Sequence, residues 1–142
     1  MMIEAQGAVA RQRVQDHVVV SVSDDPDVLA VLRRFLVPLP CQTHVVKRPG
    51  EVFDLLASHR VSMVIADQQM KRASGHEILE EVARMSPLTA RVLLAAYPES
   101  HDIIEASAET VHGIIGKPWD GHALQRTILA ILQWQEGRTA IT

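Results

Sequence analysis

The sequence predicts an α/β fold in which a five-stranded parallel sheet is covered by helices on both faces. Three observations lead there. Short β-branched, apolar runs alternate five times with stretches of helical periodicity. The runs are almost continuously apolar, as strands buried on both faces are, rather than alternating. Three acids and one lysine follow such runs directly: Asp24 and Asp25 after VVVSVS, Asp67 after SMVIA, and Lys117 after GIIG. A parallel sheet gathers all four at one edge.

Taken in order, His17 to Ser23 reads as the first strand, and Asp25-Pro26 as an N-cap followed by the first helical position. Val28, Leu29, Val31, Leu32, Phe35 and Leu36 form the apolar stripe of that helix, and Pro38 and Pro40 stop it. Thr43 to Val46 is a short strand, Pro49-Gly50 reads as a turn, and Val52, Phe53, Leu55 and Leu56 give the next stripe. Val61 to Ala66 is strand-like and ends at Asp67. After the polar loop Gln68 to Gly75, Ser74 caps a helix with Glu77 at the capping-box position and Ile78, Leu79, Val82 and Ala83 inward. Arg91 to Ala96 is the fourth strand; Ile103, Ile104 and Ala108 mark a weaker helix. Gly113 to Gly116 is the fifth strand, and Asp120 caps a last helix bearing Leu124, Ile128, Ile131 and Leu132.

At 142 residues the chain is most simply one domain with a full core. Residues 1–15 are expected to be a flexible segment, 16–137 the domain and 138–142 a short tail. No apolar run approaches the roughly 20 residues that span a bilayer, and MMIEAQGAVARQRVQ has no secretory character. Cys41 is the only cysteine, which excludes an internal disulfide and fits a reducing, cytoplasmic setting. A net charge of −3 argues against direct nucleic-acid binding. The basic pairs Lys47-Arg48 and Lys71-Arg72 also lack the interleaved aromatics of a single-strand binding surface.

Ligands of open parallel sheets bind beyond the carboxyl ends of the strands, where Asp24, Asp25, Asp67 and Lys117 are expected, together with Ala95. Crowded carboxylates repel unless a cation sits among them, so a hard, oxygen-ligated ion such as Mg²⁺ is implied, with Lys117 holding a further anion. A carboxylate beside Mg²⁺ and a lysine can attack a phosphoryl group. The seven histidines are scattered without metal spacing. A conventional enzyme is disfavoured: Gln68 and Gln69, not a second acid, follow Asp67, and no GxGxxG or GxxxxGK[ST] loop is present.

Asp24-Asp25, the stretch ADQQMKRASGHEIL, RVLLAAYP and Lys117-Pro118-Trp119-Asp120 together resemble the receiver domain of two-component response regulators, specifically the subset with Lys-Pro-Trp after the fifth strand. The resemblance spans about residues 17–136. It implies a flavodoxin-like (βα)5 sheet of order 2-1-3-4-5. It also implies a phosphoacceptor at Asp67, Mg²⁺ on Asp25 and Asp67 with the Gln69 carbonyl, Asp24 acting through water, and Lys117 pairing with the acceptor and then the phosphoryl oxygens. The implied partners are a histidine kinase or phosphotransfer protein as donor and a downstream protein on the face formed by the fourth helix, fifth strand and fifth helix, where a homodimer is also allowed. The Lys117-Pro118 bond is often cis in the family.

The departures matter. Ala95 stands where the family has a switch Thr or Ser, Ile114 where it often has Tyr or Phe, and Lys71 replaces a common proline. Phosphoryl chemistry is then expected to survive while its coupling to output is altered, since switching needs contacts that differ between two states. The alternative is a receiver-like interaction module that works without phosphorylation. Tyr97 is a candidate substitute for the missing switch aromatic, and Lys71-Arg72 a candidate for steering an anionic donor.

Overall fold

The computed structural model describes residues 16–117 and 120–141. In chain order the elements are β1 (Val18–Val22), α1 (Pro26–Leu36), β2 (Gln42–Val46), α2 (Pro49–Ser58), β3 (Met63–Asp67), α3 (Gly75–Met85), β4 (Ala90–Ala95), α4 (His101–Ser107), β5 (Gly113–Gly116) and α5 (Gly121–Ile141). The strands form one parallel sheet in the order β2-β1-β3-β4-β5. This is the flavodoxin-like α/β arrangement, and the expected strand order holds.

The period-two geometry of the central strands divides the core in two. Val19, Met63, Ile65, Val92 and Leu94 face α1 and α5 and pack with Leu32, Leu36, Leu124, Ile128 and Leu132. Val18, Val20, Val22, Val64, Ala66 and Leu93 face the other way, onto Val52, Ile78, Leu79 and Val82 of α2 and α3. Both faces being covered is why β1, β3 and β4 are buried at every position. Each fully buried Leu, Ile or Val there contributes about 1.5–3 kcal/mol. Contact between α1 and α5 is close enough that a Cβ on Gly121 would lie 2.2 Å from the Phe35 ring. Gly121 therefore lets the last helix begin against the first.

Local signals account for most helix starts. The Asp25 carboxylate caps α1 by accepting from Asp27 N at 2.9 Å, and Pro26 takes the first helical position. Ser74 caps α3 by accepting from Glu77 N at 3.4 Å, and its hydroxyl donates to the Glu77 carboxylate at 2.8 Å in place of the expected reciprocal capping-box bond. Asp120 accepts from His122 N at 2.9 Å at the start of α5. Some boundaries differ from expectation. Pro49-Gly50 is not a separate turn but the first turn of α2, because proline at N1 costs no helical hydrogen bond. β2 starts one residue earlier, at Gln42, and β4 covers Ala90–Ala95 instead of 91–96. Helix α5 runs through to Ile141, across most of the stretch expected as a tail. Trp134 is half exposed beside the His112 ring. The N-terminal segment 1–15 and the Pro118-Trp119 pair lie outside the described residues.

Candidate functional site at the carboxyl edge of the sheet

The centre of the site is Asp67, the last residue of β3. Its side chain is fully buried, at 0% exposure, which for an ionised carboxylate requires compensation from every side. Three donors provide it. The Lys117 ammonium, arriving from the end of β5, pairs with Oδ1. The backbone N–H of Gln69 donates to the same oxygen at 3.1 Å. The Ser23 hydroxyl, from the end of β1, donates to Oδ2 at 2.8 Å. Strand pairing brings these groups together: β3 lies between β1 and β4, β4 pairs with β5, and Lys117 N bonds the Ala95 carbonyl at 2.8 Å.

Asp24 and Asp25, adjacent in sequence, separate in space. Both are exposed. The Asp24 carboxylate turns across to the β3–α3 loop and accepts from Lys71 N at 2.8 Å. Asp25 directs an oxygen onto the first turn of α1 as its cap. Asp24, Asp25, Pro26, Gln69, Met70 and Lys71 line one open cavity of about 630 Å³. Among the described residues no three His, Cys, Asp or Glu side chains form a metal-binding group. The acids at this edge are Asp67, at the end of β3, and Asp24 and Asp25, which line the cavity together with Gln69. Such a set fits Mg²⁺, which takes one or two carboxylates and keeps several waters.

The β3–α3 loop is held in shape from within. Gly75 N bonds the Gln68 carbonyl at 3.3 Å, and a Cβ on Gly75 would stand 2.7 Å from the Asp67 carbonyl oxygen. The backbone must pass too close to Asp67 there for any side chain. Gln68 bridges to His76 through its amide, its Oε1 accepting from His76 N at 2.9 Å. On the far side of the site Ala95 is buried, Ile114 packs against the inner apolar cluster, and Tyr97 is 71% exposed.

Of the residues expected at this edge, the structure gathers Asp67, Lys117 and the Gln69 backbone. It brings Asp24 to the same loop and puts Asp25 at the helix start. Ser23 escaped the sequence reading, where it was only the end of a strand. A signal existed: a serine closing a run of buried valines, one residue before an acid, needs a hydrogen-bond partner.

Comparison with known proteins agrees with this fold. Residues 19–129 match the response regulator receiver domain family. The hydrogenase transcriptional regulatory protein HoxA of Bradyrhizobium diazoefficiens is 32% identical over 80 residues, which is 56% of this chain and 16% of that protein. The transcriptional regulatory protein GlrR of Escherichia coli K12 is 26% identical over 107 residues, 75% of this chain and 24% of that one. The chain thus spans a quarter or less of these relatives. Among solved structures, the signal receiver domain of an HD domain-containing protein from Pseudomonas fluorescens superposes with a TM-score of 0.80 at 24% identity, over 89% of this chain and 94% of that one. The Thermotoga maritima response regulator TrrA, solved with Mg²⁺ and BeF, gives a TM-score of 0.70 at 19% identity, over 81% and 98%. These last two likenesses speak to the fold. The family match covers most of the chain, which belongs to the response regulator receiver domains, a signalling family rather than a class of conventional enzymes.

Proposed function

We propose that this receiver domain accepts a phosphoryl group on Asp67 from a histidine kinase or phosphotransfer protein, with Mg²⁺ as cofactor. The observation that carries the reading is the fully buried Asp67 carboxylate paired with the Lys117 ammonium. A carboxylate held against a cation, at the end of a central strand beneath an open loop, is a positioned oxygen nucleophile. In the transfer an Asp67 oxygen bonds to phosphorus and the donor's phosphorus–nitrogen bond breaks. The electron pair returns to the imidazole nitrogen. Lys117 is placed to follow the charge from the carboxylate to the phosphoryl oxygens.

When bound, Mg²⁺ would neutralise charge on the transferring oxygens. Asp67, Asp24 and the Gln69 carbonyl are the residues proposed to hold it. The geometry favours Asp24 over Asp25 for the closer role, because Asp24 faces the Asp67 loop whereas Asp25 caps α1. This reverses the order implied by the family resemblance. A downstream protein, or a second copy, is proposed to read the α4-β5-α5 face, where Ile104 and Trp134 are half exposed.

A second reading, an interaction module that needs no phosphoryl group, is favoured by Ala95 and Ile114, neither of which has a hydroxyl to follow a phosphoryl oxygen. One experiment separates the two. The protein is incubated with phosphoramidate and Mg²⁺ and its intact mass is measured beside Asp67→Asn. One added phosphoryl mass in the wild type, lost in Asp67→Asn, supports the acceptor reading. An unphosphorylated wild type, or equal labelling of both, rejects it.

A further inference from the structure

We infer that Ser23 is a positioning residue: by donating its hydroxyl to Oδ2 of Asp67, it lets the carboxylate keep its buried place without a divalent cation. The inference rests on the acceptor reading above and adds a means by which this chain's resting state becomes independent of metal.

Ser23 is 0% exposed, so its hydroxyl has no water to turn to. That hydroxyl is fixed at both ends. It donates to Asp67 Oδ2 at 2.8 Å and accepts from Asp25 N at 3.1 Å. Accepting from the backbone amide commits its single proton to the carboxylate. Both Asp67 oxygens are then served from within the protein: Oδ1 by the Lys117 ammonium and Gln69 N, Oδ2 by Ser23. The charges sum to zero, one buried carboxylate against one ammonium, and among the described residues no side-chain carboxylate besides that of Asp67 bonds to this network. A site built this way has little repulsion for a cation to relieve. Asp24, the remaining acid toward the loop, already bonds Lys71 N. Mg²⁺ would therefore gain less here than at a position where a second buried carboxylate faced Asp67.

The consequence is open to a direct test on the unphosphorylated full chain. Mg²⁺ binding is titrated calorimetrically in the wild type, Ser23→Asp and Ser23→Ala, and thermal unfolding is followed with and without Mg²⁺. Ser23→Asp replaces the donor with a charge facing Asp67. It should bind Mg²⁺ at least about tenfold more tightly than the wild type, the size of effect expected when a group supporting a metal ligand is changed. Its melting temperature should rise with Mg²⁺ much more than that of the wild type. Ser23→Ala should melt lower than the wild type without Mg²⁺ and recover part of the loss when Mg²⁺ is added. This variant keeps the test decisive if Ser23→Asp does not fold without metal. Wild type binding Mg²⁺ as tightly as Ser23→Asp, or Ser23→Ala being unaffected by Mg²⁺, overturns the inference. Phosphoryl labelling is read separately on the same samples. Labelled Asp67 with no difference in Mg²⁺ binding removes the role of Ser23 alone. The Mg²⁺ contrast with no labelling removes the acceptor reading alone.

Discussion

The two ends of the sheet bury polar groups to the same degree and use them differently. At the carboxyl end, Ser23, Gln69 and Lys117 all donate to one carboxylate, and the loops around it face solvent. At the amino end, the His17 imidazole, only 1% exposed, lies between the Ser62 hydroxyl at 2.6 Å and the Glu136 carboxylate at 3.3 Å. Beside it the Thr89 hydroxyl donates to the Val61 carbonyl, and the Arg91 guanidinium reaches the carbonyls of Pro87, Thr89 and Thr110. These bonds spread over many backbone acceptors, and Gln135 of α5 donates to the Ser62 carbonyl just ahead of β3 at 2.8 Å. One end concentrates donors on a single carboxylate; the other distributes them to brace the fold. Burial of a charge therefore does not mark a functional site by itself. Convergence on one group under an open loop is the feature on which the proposed acceptor role rests.

The sharpest way to break the comparison is to remove a partner at the concentrated end. Lys117→Ala leaves the Asp67 carboxylate buried without its cation, and should cost about 3 kcal/mol of stability in urea unfolding. A loss below about 0.5 kcal/mol, typical of an exposed pair, would show that the pair is not desolvated. Next in size, Gly75→Ala puts a Cβ 2.7 Å from the Asp67 carbonyl oxygen. Forcing the loop outward should cost about 2 kcal/mol and slow phosphoryl labelling. Unchanged stability and labelling would mean that the loop does not need its close approach to Asp67.

At the bracing end, burial pulls the His17 pKa below its ordinary 6.5, against the opposing effect of Glu136. The unfolded chain then takes up the proton before the folded one. Stability is complete above pH 6.5, falls as the pH drops from there toward the folded pKa, and levels off below it. His17→Gln should flatten that part of a stability–pH curve; an identical slope in wild type and variant would show that His17 does not cause it. The smallest effect separates the adjacent acids. Asp25→Ala should cost about 1 kcal/mol as a lost helix cap and leave Mg²⁺ binding nearly intact. Asp24→Ala should do the opposite. Equal loss of Mg²⁺ affinity in both variants would return Asp25 to the metal.

The fold was legible because its signals are local and redundant. The valine run of β1 and the Asp25-Pro26, Ser74–Glu77 and Asp120 caps each announce an element before any tertiary contact is considered. Pro49 misled because proline opens a turn and a helix equally well, and only the packing of Val52 under β1 decides between them. In the site, Asp67 and Lys117 could be placed by their positions after strands. Which of Asp24 and Asp25 reaches the β3–α3 loop and which caps α1 could not, because successive residues leaving a strand diverge according to where the next helix starts. Ser23 was hidden for a related reason. Its partner lies 44 residues away and becomes visible only once β1 and β3 are paired side by side.

The central claim is that the buried carboxylate of Asp67 is the group that becomes phosphorylated. Treating the phosphorylated protein with borohydride reduces an acyl phosphate to the alcohol, leaving homoserine in place of the aspartate. Peptide mapping should find homoserine at position 67 and nowhere else. Homoserine at position 24 or 25, or none at all in a sample that carries the phosphoryl mass, would contradict the account.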